Sequence, residues 1–304
     1  MTNRRATRVI VFLLMSFVLP VMAGSPDLLL PGAALAEPSY PMDTDPIRLG
    51  RKAADQGNWD EAHRRFDEAM TAGYHVDEAE EGLARVAVVE GRLADAEALY
   101  RRAIEDHAKK DGEFPEARAG LGLLLLRLDR VPEAAAEFDL ALAADDDCWP
   151  AQYGRGRVLL LTNGDPAEAR RLIENGAKKK TPAAHEAMYH HGMGLVHLSA
   201  DRLADAEAEA LIAAGLDAGN PEYARLVAEI YEKKNIPSLA ATTYERLLTL
   251  PGAAPLAPVH RALGRSYERM QRWNDARDQY VKAVQADSTL APAWLDLGNL
   301  LHRA

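Results

Sequence analysis

Arg92-Leu93-Ala94-Asp95-Ala96-Glu97-Ala98 is repeated residue for residue as Arg202-Leu203-Ala204-Asp205-Ala206-Glu207-Ala208, 110 positions later. The alanine at its fifth position recurs through the chain as Ala62, Ala96, Ala134, Ala169, Ala206, Ala240 and Ala276, at intervals of 34 to 38 residues. A glycine or alanine precedes each by about twelve residues: Gly50, Ala84, Gly122, Gly156, Gly194, Ala228 and Gly264. A segment this short cannot bury its own apolar face, so the period predicts an array whose neighbours stack into one continuous core. Residues in excess of a strict 34 fall near 109–113, 163–165 and 178–182. Those stretches are rich in charge, Gly, Pro or Asn, the composition of turns.

Inside each repeat, small and apolar residues return at three- and four-residue spacing, pause at a turn signal and return again, which predicts two antiparallel helices. Prolines mark the starts: Pro115, Pro150, Pro221, Pro258 and Pro292 for first helices, Pro132, Pro166 and Pro237 for second helices. Proline is well tolerated in the first helical turn because the N–H it lacks there has no intrahelical partner. Four residues after the marker alanine stand Phe66, Tyr100, Phe138, Tyr244 and Tyr280, and seven after it Ala69, Ala103, Ala141, Ala213 and Ala283. Those offsets lie on one helical face, so the aromatic rings are expected to fill the space that the small residues leave open. No stretch reads as a strand.

These residues resemble the tetratricopeptide repeat family, whose 34-residue pattern runs Trp, Leu-Gly, Tyr, Ala, Phe, Ala, Pro. The seventh unit carries Leu263, Gly264, Tyr267, Trp273, Ala276, Tyr280 and Ala283 at the family's positions. The family's first tryptophan is replaced in the complete units, by His190 and His260 among others, and its final proline is missing throughout. The resemblance implies an all-α fold, a right-handed α-solenoid of antiparallel helix pairs: seven units over residues 43–290 and the first helix of an eighth over 291–304. It also implies that first helices line a concave groove for a peptide or protein partner. At one groove position stand Arg51, Arg85, Leu123, Arg157, Leu195, Glu229 and Arg265, and Arg261, Arg265 and Arg269 form a stripe at four-residue spacing. Between the basic ends lie Leu123, Leu126, Tyr153, Leu160, Leu161, Met188, Leu195 and Leu198. The candidate partner-binding residues are therefore Arg51, Arg85, Leu123, Tyr153, Arg157, Leu195, Arg261, Arg265 and Arg269. They suit a segment with both apolar side chains and carboxylates.

Chemistry has little support in the residues. His185 and His190 are five apart and point to different helical faces, so they cannot share a zinc. No nucleophile elbow, phosphate loop or dinucleotide fingerprint occurs, and Asp145-Asp146-Asp147 lacks the alternating ligands of a calcium loop. The expectation is a chain that is not an enzyme, with no cofactor, no metal and no small-molecule substrate. A formal net charge of −10 makes it a poor nucleic-acid ligand. Cys148 is the only cysteine, which excludes an intramolecular disulfide.

The N-terminus reads separately. Arg4, Arg5 and Arg8 precede an uncharged apolar run from Val9 to Ala23, the layout of a secretory signal. Its cleavage sequences are Ala34-Leu35-Ala36, which would make residues 1–36 the signal peptide, and Val21-Met22-Ala23, which would end it at 23. An uncleaved membrane anchor is the alternative. Residues 37–42 then form a flexible linker, and the expected location is periplasmic or otherwise extracytoplasmic. The resemblance to exported arrays of the family implies a setting in envelope assembly, export or secretion. At the other end, Trp294, Leu297, Leu300 and Leu301 are expected to leave an apolar helix without cover, open to association. The competing reading is the targeting or regulatory portion of a larger enzyme whose catalytic domain lies beyond residue 304.

Overall fold

The computed structural model describes residues 38–110, 112–177, 183–253 and 255–303. The expected signal sequence and the 178–182 insertion lie outside the described residues. Fifteen α-helices and no strand occur among them: α1 Pro46–Asp55, α2 Trp59–Ala72, α3 Val76–Glu90, α4 Leu93–Ala108, α5 Pro115–Arg127, α6 Val131–Ala144, α7 Trp149–Leu161, α8 Pro166–Ala177, α9 Ala183–Ser199, α10 Leu203–Leu216, α11 Pro221–Lys233, α12 Pro237–Leu247, α13 Leu256–Arg269, α14 Trp273–Ala286 and α15 Ala291–Arg303. Each odd-numbered helix from α1 to α13 packs on the even one after it, successive odd helices touch from α1 through α11, and α13 touches α15, so the chain forms the expected all-α solenoid. None of the described helices is long and apolar enough to cross a membrane.

The two copies of the heptapeptide begin α4 and α10 in nearly the same way. Arg92 and Arg202 take the N-cap position with φ −82°, ψ 64° and φ −84°, ψ 71°. The prolines sit in first turns as expected, at the start of α5, α8, α11 and α12 and one residue in for α6, α7 and α15. Asp165 accepts a hydrogen bond from the Ala167 N–H at 2.9 Å, capping α8.

Every marker alanine is fully buried, which places the repeat register on the helix crossings. Phe66 and Phe138 show why the partners are small. A Cβ added to Gly50 or to Gly82 of the next unit would lie 2.7 or 2.5 Å from the Phe66 ring. The corresponding approaches to Phe138 are 2.5 Å from Gly122 and 2.1 Å from Gly154. Each ring is thus clamped between two first helices and fills the volume their missing side chains leave, at the packing density of a protein interior.

Each first helix ends on one residue in the left-handed region: Gly57, Gly91, Asp129, Asn163, Asp201, Asn235 and Gln271. The N–H that follows closes a six-residue turn back onto the helix, for example Asn58 onto Ala53 and Arg92 onto Ala87. The same closure joins Arg130 to Leu125, Gly164 to Leu159, Arg202 to His197, Ile236 to Tyr231 and Arg272 to Tyr267. This helix stop satisfies carbonyls that would otherwise lack a donor and fixes the angle into the second helix.

At the far end, α15 differs from the sequence reading. Leu297 and Leu300, three residues apart, face inward and join the cluster built by α13 and α14, whereas Trp294, Leu295 and Leu301 face outward. Cys148 is buried beside Trp149, and burial pushes its thiol up to about 11, away from the reactive thiolate.

Candidate functional site

The first-helix face carries two cavities, of about 510 Å³ and about 260 Å³. Leu126, Leu160, Leu161, Leu195 and Leu198 line the larger, and Leu123, Tyr153 and Met188 the smaller, so the whole apolar stretch read from the sequence converges here. Arg127 and Arg157 line both and form the partition between them. The loop between α12 and α13 lies across this face: the Arg127 guanidinium donates to the carbonyls of Gly252 and of Val88, and Arg225 Nη2 donates to Ala253 at 3.4 Å. Gly91 and Gly252, 161 residues apart, meet there, since a Cβ on Gly91 would lie 2.6 Å from the Gly252 nitrogen.

Most of the arginines picked from the sequence already have partners within the chain. Arg51 pairs with Glu78 at 2.8 Å, Arg157 with Glu222 at 3.0 Å and Arg261 with Asp296 at 2.6 Å. Arg85 stands 3.9 Å from Asp55, and Arg269 donates to the Glu232 carbonyl at 3.2 Å. Arg265 and Arg269 border a separate recess with Glu268, Trp273 and Arg303. The structure thus brings Arg85, Leu123, Tyr153, Arg157 and Leu195 to the two cavities and leaves Arg51 and the 261–269 stripe elsewhere.

The polar heart of the site is the group around Arg157. Its guanidinium lies 5.7 Å from the centre of the Tyr153 ring, and the Tyr153 hydroxyl is 2.6 Å from His191 Nδ1. Burial, with Arg157 adding to it, pushes His191 down to about 3, so the imidazole is neutral and the hydroxyl can donate to it. Burial likewise pushes the Tyr153 hydroxyl up to about 12. For Glu222, burial works to raise the carboxyl, but Arg157 and Arg225 outweigh it and hold it below the ordinary carboxylate range. Glu229 goes the other way: burial, reinforced by Glu222 and Glu232 and opposed by Arg225, lifts it to about 7. Sequence reading did not select Arg127, Arg225, Glu222 or His191. They occupy the same groove positions as the selected residues, one helical turn or two away, so the signal was their helical register.

His185 packs against Trp149 with ring centres 4.8 Å apart and planes tilted by 53°, while His190 binds Glu209 at 2.6 Å, so the two histidines serve different neighbours. Among the described residues, no three acidic, histidine or cysteine side chains cluster as metal ligands.

A stack of helical hairpins with a lined inner face defines a class of repeat proteins that act by holding other molecules. The tetratricopeptide repeat model matches residues 47–113, 82–147, 120–185 and 153–221, together more than half of the chain, and the chain belongs to that family. Among solved structures it is similar to a tetratricopeptide repeat protein from Parabacteroides merdae, with 14% identity over 84% of this chain and 97% of that one, at a TM-score of 0.50. It is similar also to a chain of the Cut9–Hcn1 hetero-tetramer of APC/C, with 14% identity over 85% of this chain and 58% of that one, at a TM-score of 0.58. At such identities the likeness is one of fold. No curated protein matches the sequence. Proteins of this family are generally non-catalytic scaffolds for protein–protein interaction, and this chain has their architecture.

Proposed function

We propose that the chain is a non-enzymatic extracytoplasmic scaffold that holds a protein segment against its first-helix face, in envelope assembly, export or secretion. The observation that carries the reading is the convergence of the apolar stretch on the two cavities beside Arg157. A segment presenting apolar side chains with carboxylates between them complements that lining. Arg85, Leu123, Tyr153 and Leu195 form the centre of this contact, and Arg265 and Arg269 an outlying basic patch. The arginines ahead of the Val9–Ala23 apolar run support export. The exposed Trp294, Leu295 and Leu301 offer a second place for association.

Site-specific photocrosslinking tests the groove. A benzoylphenylalanine at Leu195 is expected to capture a partner in the native envelope, whereas one at Leu211, 47% exposed on α10, is not. Equal capture from both, or capture from Leu211 alone, refutes the assignment. Export is tested by fractionation: substituting Arg4, Arg5 and Arg8 with glutamate should hold the chain inside the cell in its full-length form, and unchanged secretion would refute the signal.

A further inference from the structure

The larger cavity holds more cationic side chains than its own carboxylates neutralise. Arg127 comes from α5, Arg157 from α7 and Arg225 from α11, and all three line it. Glu222 is the carboxylate within reach, 3.0 Å from Arg157 Nη2 and 3.8 Å from Arg225 Nε. Arg127 is held by the backbone carbonyls of Val88 and Gly252. Asp129 and Lys233 also line the cavity and offset one another. Glu229, lifted to about 7 by burial, supplies only part of a negative charge at neutral pH. The Nε–H groups of Arg127, Arg157 and Arg225 are buried with no hydrogen-bond acceptor among the described residues. Buried cations with unsatisfied donors are costly; an anion in the cavity cannot reach those Nε atoms, but its charge offsets the positive charge of the three guanidiniums. Most of the rest of the wall is aliphatic, with Leu160, Leu195 and Leu226 along it and His191 and Ser199 as its polar members. Its volume of about 510 Å³ lies within the roughly 300–1,000 Å³ of small-molecule pockets.

We propose that this cavity binds a small amphipathic carboxylate of medium-chain fatty acid type, its head group among Arg127, Arg157 and Arg225 and its chain along Leu160, Leu195 and Leu226. This goes beyond the scaffold reading, because the occupant is a free small molecule and not a polypeptide. Specificity comes from the combination: the guanidiniums select the anion, and the leucines reject anions that bring no apolar chain.

Titration calorimetry on the whole chain tests it with octanoate, octan-1-ol and acetate. Octanoate is expected to bind saturably at one site, with octanol and acetate each at least about tenfold weaker, the loss of a charge-assisted contact or of the apolar one. In Arg225→Gln, checked for unchanged helix content by circular dichroism, octanoate affinity should fall by about tenfold. The same carboxylate could belong to a peptide's acidic side chain, so acetyl-Leu-Glu-Leu-amide is offered as competitor. Failure of the tripeptide to displace octanoate supports a free acid, and displacement overturns that assignment while leaving the scaffold reading intact. Octanol binding as well as octanoate, or no octanoate binding at all, overturns the proposal on the unaltered protein, whatever the variant does.

Discussion

Substituting Gly154 with alanine tests the clamp on Phe138 with a single methyl group. Gly154 is within α7, and the added Cβ would lie 2.1 Å from Phe138 Cζ and 2.3 Å from Cε1, far inside contact distance. The ring has little room to retreat, because it is fully buried and lies so close to Gly122 on α5 that a Cβ there would itself be 2.5 Å from it. Overpacking of this kind costs about 1–3 kcal/mol. Against it stands the gain of about 0.8–1.0 kcal/mol from replacing glycine by alanine inside a helix. The net expectation is a loss of up to about 2 kcal/mol, toward the upper end because the approach is so close. Gly298 within α15 is the control, since a Cβ there meets nothing within 4 Å and the helical gain stands alone. Urea melts followed by circular dichroism should move the midpoint down for Gly154→Ala and up for Gly298→Ala. A third variant, Gly154→Ala with Phe138→Leu, should lose less stability than the two single changes summed, because the smaller side chain makes room for the methyl. A midpoint that rises equally for both glycine variants would refute the reasoning.

Glu229→Gln should become more stable relative to the parent chain as pH rises. The folded carboxyl titrates near 7 and the unfolded one near 4.5, so the native state binds the extra proton, and stability is lost as pH climbs through that window. The difference between variant and parent urea midpoints, measured from pH 5 to 8, should amount to roughly 1–3 kcal/mol in all. His191 works oppositely, costing stability as pH falls from 6.5 toward 3, and cancels in that difference because both proteins contain it. Arg157→Glu should destabilise the fold by about 3–5 kcal/mol, since it strips Glu222 of its ion pair and adds a second carboxylate; thermal melting checks this, and an unchanged transition would deny the buried pair. Gly91→Ala should raise hydrogen exchange over Leu250–Ala253, because its Cβ would collide with the Gly252 backbone and its φ of 80° disfavours a side chain; unaltered exchange there would deny the contact.

The solenoid was legible because its determinants are local and repeated. Ala62 and its six successors mark each helix crossing, and Phe66 or Phe138 needs small neighbours whichever unit it occupies. The helix stops were harder to read. Only Gly57 and Gly91 announce the left-handed residue by type, while Asp129, Asn163, Asp201, Asn235 and Gln271 adopt it because the turn closure demands it. Helical register places Leu123, Tyr153, Arg157 and Leu195 on one face, and they line the two cavities, but register carries no information about pairing between distant units. Glu222, which neutralises Arg157, is 65 residues away, and Gly252, which holds Arg127, is 125 away. The inward turn of Leu297 and Leu300 was missed for a related reason: α15 buries one strip against α13 and α14, a pairing between units that register alone does not show.

Hydrogen–deuterium exchange along the whole chain tests most directly the claim that consecutive helix pairs lean on one another. Slow exchange should follow the helices, interrupted by faster segments near residues 57, 91, 129, 163, 201, 235 and 271, at the spacing of the repeat. One unbroken protected block spanning several of those turns, or rapid exchange through α5, α7 and α9, would contradict the account.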